Sequence, residues 1–363
     1  MLPLVNDAFL TLKPYPPGKP ISETERELGI TGCIKLASNE NPLGPSPKAV
    51  AAVSDILKSL HDYPDGGGYY LKDRLAEFVG YGTDHIILGN GTNELIEMLI
   101  RTCIRPGENM VYAEQSFIAY KLCGLSANAE IIEVPLKDMR YDLEAMAAAM
   151  NDKTKLVFIA NPNNPTGTYV SKAEMDAFMK AVPEQVIVVL DEAYLEYVDA
   201  PDYPSALDYL EMRDRVMVTR TFSKCYGLAG LRVGYGVAKP ELIDFLNRGR
   251  QPFNCNSLAQ AGALAALDDQ AHVDASVELN NSERTRLSAA LSERGLGVVP
   301  SQANFILVDF KRDGAQVYQD MLQKGVIIRP MGGYGLTTFG RISIGTKPQN
   351  DRMLSVLDEV LEA

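Results

Sequence analysis

Lys224 is the side chain around which the chemistry of this sequence gathers. Thr221 and Ser223 precede it, a turn containing Gly227 and Gly230 follows, and Arg232 comes eight positions later. A lysine amine forms a Schiff base with an aldehyde once its environment lowers its pKa or a neighbour takes its proton. The hydroxyls and the guanidinium are suited to a phosphate. Aldehyde and phosphate together describe pyridoxal phosphate, so the stretch suggests a lysine that holds this cofactor. Ser-Lys pairs also occur on ordinary surfaces, and the remaining contacts must come from elsewhere in the chain.

Three further stretches supply them. Val186 to Leu190 reads as a buried strand ending in Asp191-Glu192-Ala193-Tyr194. An aspartate there can pair with a pyridinium nitrogen, and it can equally cap a helix or bind a metal. Tyr194 can donate its hydroxyl to the ring oxygen beside the imine. Asn161-Pro162-Asn163-Asn164-Pro165-Thr166-Gly167 follows another buried strand and is either a turn that aims one amide at a ligand or only a connection. The strand His85 to Leu88 runs into Gly89-Asn90-Gly91-Thr92-Asn93-Glu94 and then a helix, a unit whose free N–H groups and dipole favour a phosphate. Gly89-x-Gly91, with Glu114 further on, also resembles the start of a dinucleotide fingerprint, but Glu94 stands where that motif needs a third glycine. Arg341 and Arg329, on short apolar runs near the C-terminus, can each bind a carboxylate or phosphate, or form a surface ion pair.

These pieces need a frame. From Asn109 onward strands alternate with helices: Asn109–Ala113, Glu130–Val134, Lys155–Ala160, Val186–Leu190 and Arg215–Thr219, against Phe117–Gly124, Leu143–Met150, Lys172–Val182 and Ser205–Met212. Earlier helices are expected from Pro47 to His61 and from Tyr70 to Val79. The alternation predicts an α/β fold with a mostly parallel sheet flanked by helices, and ligands beyond the carboxyl ends of its strands. After Arg250 the pattern changes. Helices are expected at 258–267 and 275–294, then strands at 298–299, 304–309, 325–328 and 341–344, a helix near 315–322 and a last one at 353–361. The expected division is an N-terminal arm and small-domain segment (1–45), a large domain (46–255) and a smaller α/β domain (256–363). Residues 1–33 are proline-rich and lack periodicity, as expected of an extended arm.

The chain has 363 residues, 46% of them hydrophobic, and a net charge of −12. That balance argues against nucleic acid or an anionic membrane as a partner, since both need a broad basic face. No apolar run is long enough to span a bilayer. Five dispersed cysteines without a C-x-x-C fit a reduced, cytoplasmic chain. Three scattered histidines give no zinc pattern.

In order and spacing the motifs resemble the fold type I, pyridoxal-phosphate-dependent aminotransferases of the aspartate aminotransferase superfamily. Asn164 to Asp191 spans 27 positions and Asp191 to Lys224 spans 33. Within it, Asn39-Glu40-Asn41-Pro42-Leu43-Gly44, Tyr63-Pro64, Asn163 to Gly167 and Leu228 to Arg232 look most like the histidinol-phosphate aminotransferases. The resemblance implies that Lys224 carries the cofactor and moves the substrate proton. It implies that Asp191 pairs with the ring nitrogen and that Tyr194 and Asn164 contact the ring oxygen. Thr92, Asn93, Thr221, Ser223 and Arg232 would bind the cofactor phosphate. Tyr63 would reach the phosphate of a neighbouring subunit, which implies a homodimer with shared sites. Phe117 would stack on the ring, where many relatives carry Tyr or Trp. Arg341, Arg329 and Tyr15 would contact the substrate. The implied reaction is a two-step exchange between histidinol phosphate and 2-oxoglutarate in histidine biosynthesis. An aromatic amino-acid aminotransferase and an amino-acid-phosphate decarboxylase share most of these residues. A nicotinamide-dependent dehydrogenase would leave the Lys224 constellation unexplained, and a non-catalytic relative would need an extra module or a lost lysine.

Overall fold

The computed structural model describes residues 4–5, 8–12, 14–15 and 18–362, so Lys13, Pro16 and Pro17 of the proline-rich stretch lie outside the described residues. Among the described residues thirteen strands are formed: β1 Ile34–Lys35, β2 Ile86–Gly89, β3 Asn109–Ala113, β4 Glu130–Val134, β5 Thr154–Ala160, β6 Ile187–Asp191, β7 Val216–Thr221, β8 Gly234–Ala238, β9 Gly297–Val299, β10 Phe305–Asp309, β11 Val326–Ile327, β12 Arg329–Pro330 and β13 Phe339–Ser343.

Seven strands make the main sheet in the order β2-β8-β7-β6-β5-β3-β4. β8 is antiparallel to both neighbours, while the pairs from β7 through to β4 are parallel. This is the mostly parallel α/β sheet that the alternating pattern predicts. Its central strands are continuous runs of β-branched and apolar residues because both faces are covered: Val188, Val189, Leu190, Val157 and Phe158 are all fully buried. Each such side chain contributes roughly 1.5–3 kcal/mol relative to exposure. β2, β5, β6 and β7 all end at one edge, where the sequence places its glycine loop, its Asn-Pro turn, Asp191 and Lys224.

A second sheet, β12-β13-β10-β9, is antiparallel throughout. Ile306, Val308 and Ile342 pack against Leu287 and Leu291 of the helix Gln270–Glu293, Val317 and Met321 of Gly314–Gln323, and Met353 and Leu357 of Lys347–Glu362. β1 pairs in parallel with β11, which carries the N-terminal segment onto this C-terminal layer. Among the described residues no helix is long and apolar enough to cross a membrane.

Several elements differ from the sequence expectation. Residues 21–28 form a helix inside the segment expected to be irregular, begun after Pro20 and ended by Gly29 in the left-handed region at φ 66°. β8, with its two glycines Gly234 and Gly236, and the helix Pro240–Gly249 lie in a stretch to which the sequence pattern assigns no element. The glycines serve packing: a side-chain carbon on Gly234 would come within 2.9 Å of the Arg220 carbonyl oxygen. The helix from Pro47 ends at Ile56 and tightens to a 3-10 turn over Leu57–Ser59. The expected strand 325–328 divides, with β11 pairing to β1 and β12 to β13. Expected helix 205–212 is a 3-10 turn followed by a single helical turn, Tyr209–Met212.

Candidate active site

Asp191 is the last residue of β6 and is 3% exposed. The Tyr120 hydroxyl donates to Asp191 Oδ2 at 2.7 Å, while Asp191 Oδ1 has no hydrogen-bond partner among the described residues. Burial pushes this carboxyl up, against the pull of the Tyr120 bond and, more weakly, of the Thr219 hydroxyl and the Ala193 N–H. An ionised oxygen without a donor is costly in such a place. A cationic N–H donor would satisfy it.

Lys224 follows β7 through the turn Phe222-Ser223 and projects into a cavity of about 370 Å³. Its amine donates to the Ser38 carbonyl oxygen at 3.3 Å and lies 5.7 Å from the Tyr194 ring centre. Part of the side chain faces the cavity opening, yet the amine is enclosed by protein. Burial, then the positive charge of Arg341, lower its pKa to about 8. Roughly a tenth of the amine is therefore neutral and nucleophilic at pH 7, and about half at pH 8.

One end of the cavity is an anion cradle. Gly91 precedes the helix Thr92–Cys103 at φ 74°, and Thr92 and Asn93 open that helix with N–H groups that have no intrahelical acceptor. A Cβ on Gly91 would come within 2.6 Å of Arg232 Nη2, so the glycine lets the guanidinium close over the loop. Arg232 Nη1 donates to Ser223 Oγ at 3.4 Å, and the Ser223 N–H donates to Thr221 Oγ1 at 3.1 Å. Glu94 caps this unit from behind by accepting from the Asn90 N–H and from Asn254 Nδ2. That role explains the acid where a dinucleotide loop would need glycine.

The other side holds the basic side chains expected to meet substrate. Arg341, on β13, is 8% exposed and is no surface ion pair. Its Nη2 donates to the Ala37 carbonyl at 2.9 Å, its Nη1 donates to Asn164 Oδ1, and its Nε has no partner among the described residues. Burial lowers its pKa, and the groups that most favour its charge are Tyr194 and Tyr334. Arg329 lies opposite Arg341 in the β12–β13 pairing, with its guanidinium 5.3 Å above the ring of Tyr15.

Asn164 belongs to the turn after β5, held by Asn163, whose Nδ2 donates to Gln115 O and Thr166 Oγ1, both at 2.9 Å. Phe117 caps the helix Ile118–Ser126 and meets Tyr120 edge-on at 5.8 Å. Tyr194 rests edge-on against Phe305 at 5.2 Å, and its hydroxyl is pushed up to about 12, chiefly by burial.

The cavity thus gathers Lys224, Asp191, Tyr194, Asn164, Phe117, Thr92, Asn93, Thr221, Ser223, Arg232 and Tyr15 on one lining. Arg341, which meets the lining through Asn164, and Arg329 are not among them, and neither is Tyr63. It is 82% exposed and stacks on Phe253 at 4.8 Å, away from the cavity. A larger and more open cleft of about 770 Å³, lined by residues such as Arg105, Lys155 and Phe245, lies at the opposite edge of the main sheet and holds none of these groups. Cys225, beside the lysine, is a buried free thiol pushed up by burial, which suits packing rather than nucleophilic attack.

Some functional contacts were not singled out in the sequence. Tyr120 lies three residues after Phe117, a spacing that puts both on one helix face and could have flagged it. The loop 37–41 wires the site together: Ala37 O accepts from Arg341, Ser38 O from Lys224, Asn39 Nδ2 donates to Tyr194, and Asn41 Nδ2 donates to Cys225 O. Glu192, next to Asp191, pairs with Arg220 at 2.7 Å in the interior.

The residues fit pyridoxal phosphate: a buried carboxylate oxygen without a hydrogen-bond partner among the described residues for a ring cation, a lysine with a lowered pKa for an aldehyde, and a glycine-dependent cradle for a phosphate. Known proteins agree with this geometry. A histidinol-phosphate aminotransferase of Moorella thermoacetica is 51% identical over 361 residues, spanning 99% of this chain and 94% of that protein. A histidinol-phosphate aminotransferase of Nitrosococcus oceani is 49% identical, spanning 97% and 95%. The crystal structure of a histidinol-phosphate aminotransferase from Sinorhizobium meliloti in complex with pyridoxal-5'-phosphate superposes with a TM-score of 0.90 at 28% identity, covering 100% of this chain and 98% of the other. Residues 31–357 match the family aminotransferase class I and II, and with relatives alike along nearly its whole length the chain belongs to that family.

Proposed function

We propose that this chain is a pyridoxal-phosphate-dependent aminotransferase that exchanges an amino group between histidinol phosphate and 2-oxoglutarate. The observation that carries the reading is the convergence, in one cavity, of the Lys224 amine, the orphaned Asp191 oxygen and the cradle of Thr92, Asn93, Ser223 and Arg232. The two arginines Arg341 and Arg329 beside that cavity support an anionic substrate.

Bound pyridoxal phosphate supplies an aldehyde for amine exchange and a protonated ring that takes up electron density from the reacting carbon. Asp191 Oδ1 holds the ring proton. Thr92, Asn93, Thr221, Ser223 and Arg232 hold the phosphate. Phe117 stacks on the ring, and its bare edge offers the substrate no polar contact. Tyr194 and Asn164 present polar groups to the ring oxygen. Lys224 Nζ, neutral for about half of the time near pH 8, would hold the cofactor aldehyde and, once freed, would serve as the base that moves the substrate proton. Arg341 would pair with the phosphate of histidinol phosphate or a carboxylate of 2-oxoglutarate, and Arg329 with Tyr15 adds a second anion station.

Tyr63 would meet the phosphate of a second copy in a homodimer. Its exposure, with that of Tyr69, Tyr70 and Phe253, supports a partner surface at this place. A cytoplasmic setting accords with five free cysteines.

The test loads the protein with pyridoxal phosphate and follows the absorbance of the lysine-bound cofactor during titration with single amino donors. Conversion to the aminated cofactor at much lower histidinol phosphate than phenylalanine, tyrosine or glutamate is expected. A preference for phenylalanine or tyrosine overturns the substrate assignment, and absence of any lysine-bound absorbance overturns the cofactor assignment.

A further inference from the structure

Asn39 is 1% exposed and has a left-handed backbone at φ 56°, an arrangement that few residues other than glycine and asparagine accept. It is fixed on every side. Its N–H donates to Ser343 Oγ at 2.8 Å, the Ser343 hydroxyl donates back to Asn39 Oδ1 at 3.0 Å, and Asn304 Nδ2 donates to the Asn39 carbonyl at 2.9 Å. The remaining end, Asn39 Nδ2, donates to the Tyr194 hydroxyl oxygen at 3.0 Å.

The direction of this chain follows from what each group can do. Ser343 Oγ already accepts from a backbone N–H, and Ser343 is 3% exposed. With the Asn39 amide reversed, Oγ would receive a second donor and its own hydrogen would face no acceptor in a buried site, which costs about 1–3 kcal/mol. The amide oxygen therefore faces Ser343 and the NH2 faces Tyr194. The phenol oxygen accepts there, so its hydrogen points elsewhere, and the face of Tyr194 left open is the cavity face shared with Lys224 and Asn164.

We propose that Asn39, oriented by Ser343, is a positioning residue that aims the Tyr194 hydroxyl hydrogen into the cofactor cavity. Asn39 touches no reacting atom and acts only through Tyr194. The inference rests on the proposed cofactor reading, in which that hydrogen meets the ring oxygen and favours the unprotonated form of the lysine–cofactor linkage.

The experiment is a spectrophotometric pH titration of the pyridoxal-phosphate-loaded protein in Asn39→Ala, Ser343→Ala and Tyr194→Phe and in the two double variants with Tyr194→Phe. Loss of an aimed hydrogen bond raises the midpoint of the lysine-bound absorbance by about half to one pH unit. Asn39→Ala and Ser343→Ala are expected to shift it upward alone and to add nothing in the Tyr194→Phe background. An equal shift in both backgrounds, or no shift in the single variants, overturns the inference. A purely structural role would lower melting temperature and cofactor affinity and leave the midpoint in place. Ser343→Ala removes only one hydroxyl and keeps the test available if Asn39→Ala does not fold. A wild-type protein with no lysine-bound absorbance would overturn the cofactor reading instead. The ionisation of Tyr194, read by ultraviolet difference against Tyr194→Phe, then decides: unchanged by Asn39→Ala, it overturns the relay, and raised, it upholds it.

Discussion

The Tyr120 hydroxyl and the Asp191 carboxylate share one 2.7 Å hydrogen bond, and the second carboxylate oxygen has no hydrogen-bond partner among the described residues. On the proposed reading the first oxygen is held by the protein and the second is the one that meets a ligand. Burial raises the Asp191 pKa and the Tyr120 bond opposes that rise. Tyr120→Phe should therefore raise it further, moving the acid limb of the kcat/KM profile upward and lowering kcat/KM most on the acid side of the profile. Asp191→Asn, which removes the charge outright, should lower kcat at least about 100-fold. Steady-state kinetics across pH with circular dichroism as a folding control checks both.

Lys224 is expected to set the pH dependence of cofactor uptake. Its pKa is lowered to about 8, so below that value the amine is protonated and inert, and above it the amine is free. The rate of lysine-linked cofactor formation by the unloaded protein should rise with pH up to about 8 and level off above it. Stopped-flow absorbance at fixed pyridoxal phosphate measures this. Lys224→Ala should abolish the lysine-bound absorbance and nearly all transamination.

Arg341 enters this balance twice. Its charge contributes to the lowered Lys224 pKa, and it is expected to carry the substrate anion. Arg341→Gln should move the midpoint of cofactor uptake to higher pH. It should also raise KM for both substrates by about 10–100-fold, the loss expected for a paired hydrogen bond to an anion. Arg341→Lys keeps a charge but not the fork, and should restore the uptake midpoint better than KM.

Glu196 is a liability away from the reacting groups. It is enclosed by protein, its Oε2 has no partner among the described residues, and burial raises its pKa to about 7. A carboxyl whose folded pKa exceeds its unfolded value loses stability as pH rises between the two, and the whole cost is present above the folded pKa. Glu196→Gln should therefore stabilise the protein by about 1–3 kcal/mol at pH 8 and change little at pH 5. Melting curves at the two pH values report it.

Much of this arrangement is legible in the sequence because the local signals are strong. A continuous apolar run ending in Asp191, a glycine loop before Thr92 and a hydroxyl-flanked Lys224 each specify a strand end or helix start at the same edge of one sheet. β8 was not legible, since its glycines serve close packing against β2 and β7, which only the assembled sheet reveals. Arg341 alone looks like a surface cation. Its burial depends on Ala37 and Asn164, which are remote in sequence. Tyr63 reads as a site residue yet lies apart from the cavity within its own chain. The Asn39 contacts were hidden for the same reason, since a buried asparagine declares itself only through the groups it bonds.

The loop at residues 37–41 also sets an order in time. Arg341 meets Ala37 and Ser343 meets Asn39 across 304 positions of sequence. Residues 37–39 leave the ribosome early, but their partners on β13 are made almost a whole chain later. Until then, Ser38 and Asn39 have nothing on that strand to dock against. The main sheet can assemble during synthesis, whereas the wall that braces Lys224 and Tyr194 closes only once β13 is in place. In a nascent chain that wall around Lys224 is therefore incomplete until β13 has been made.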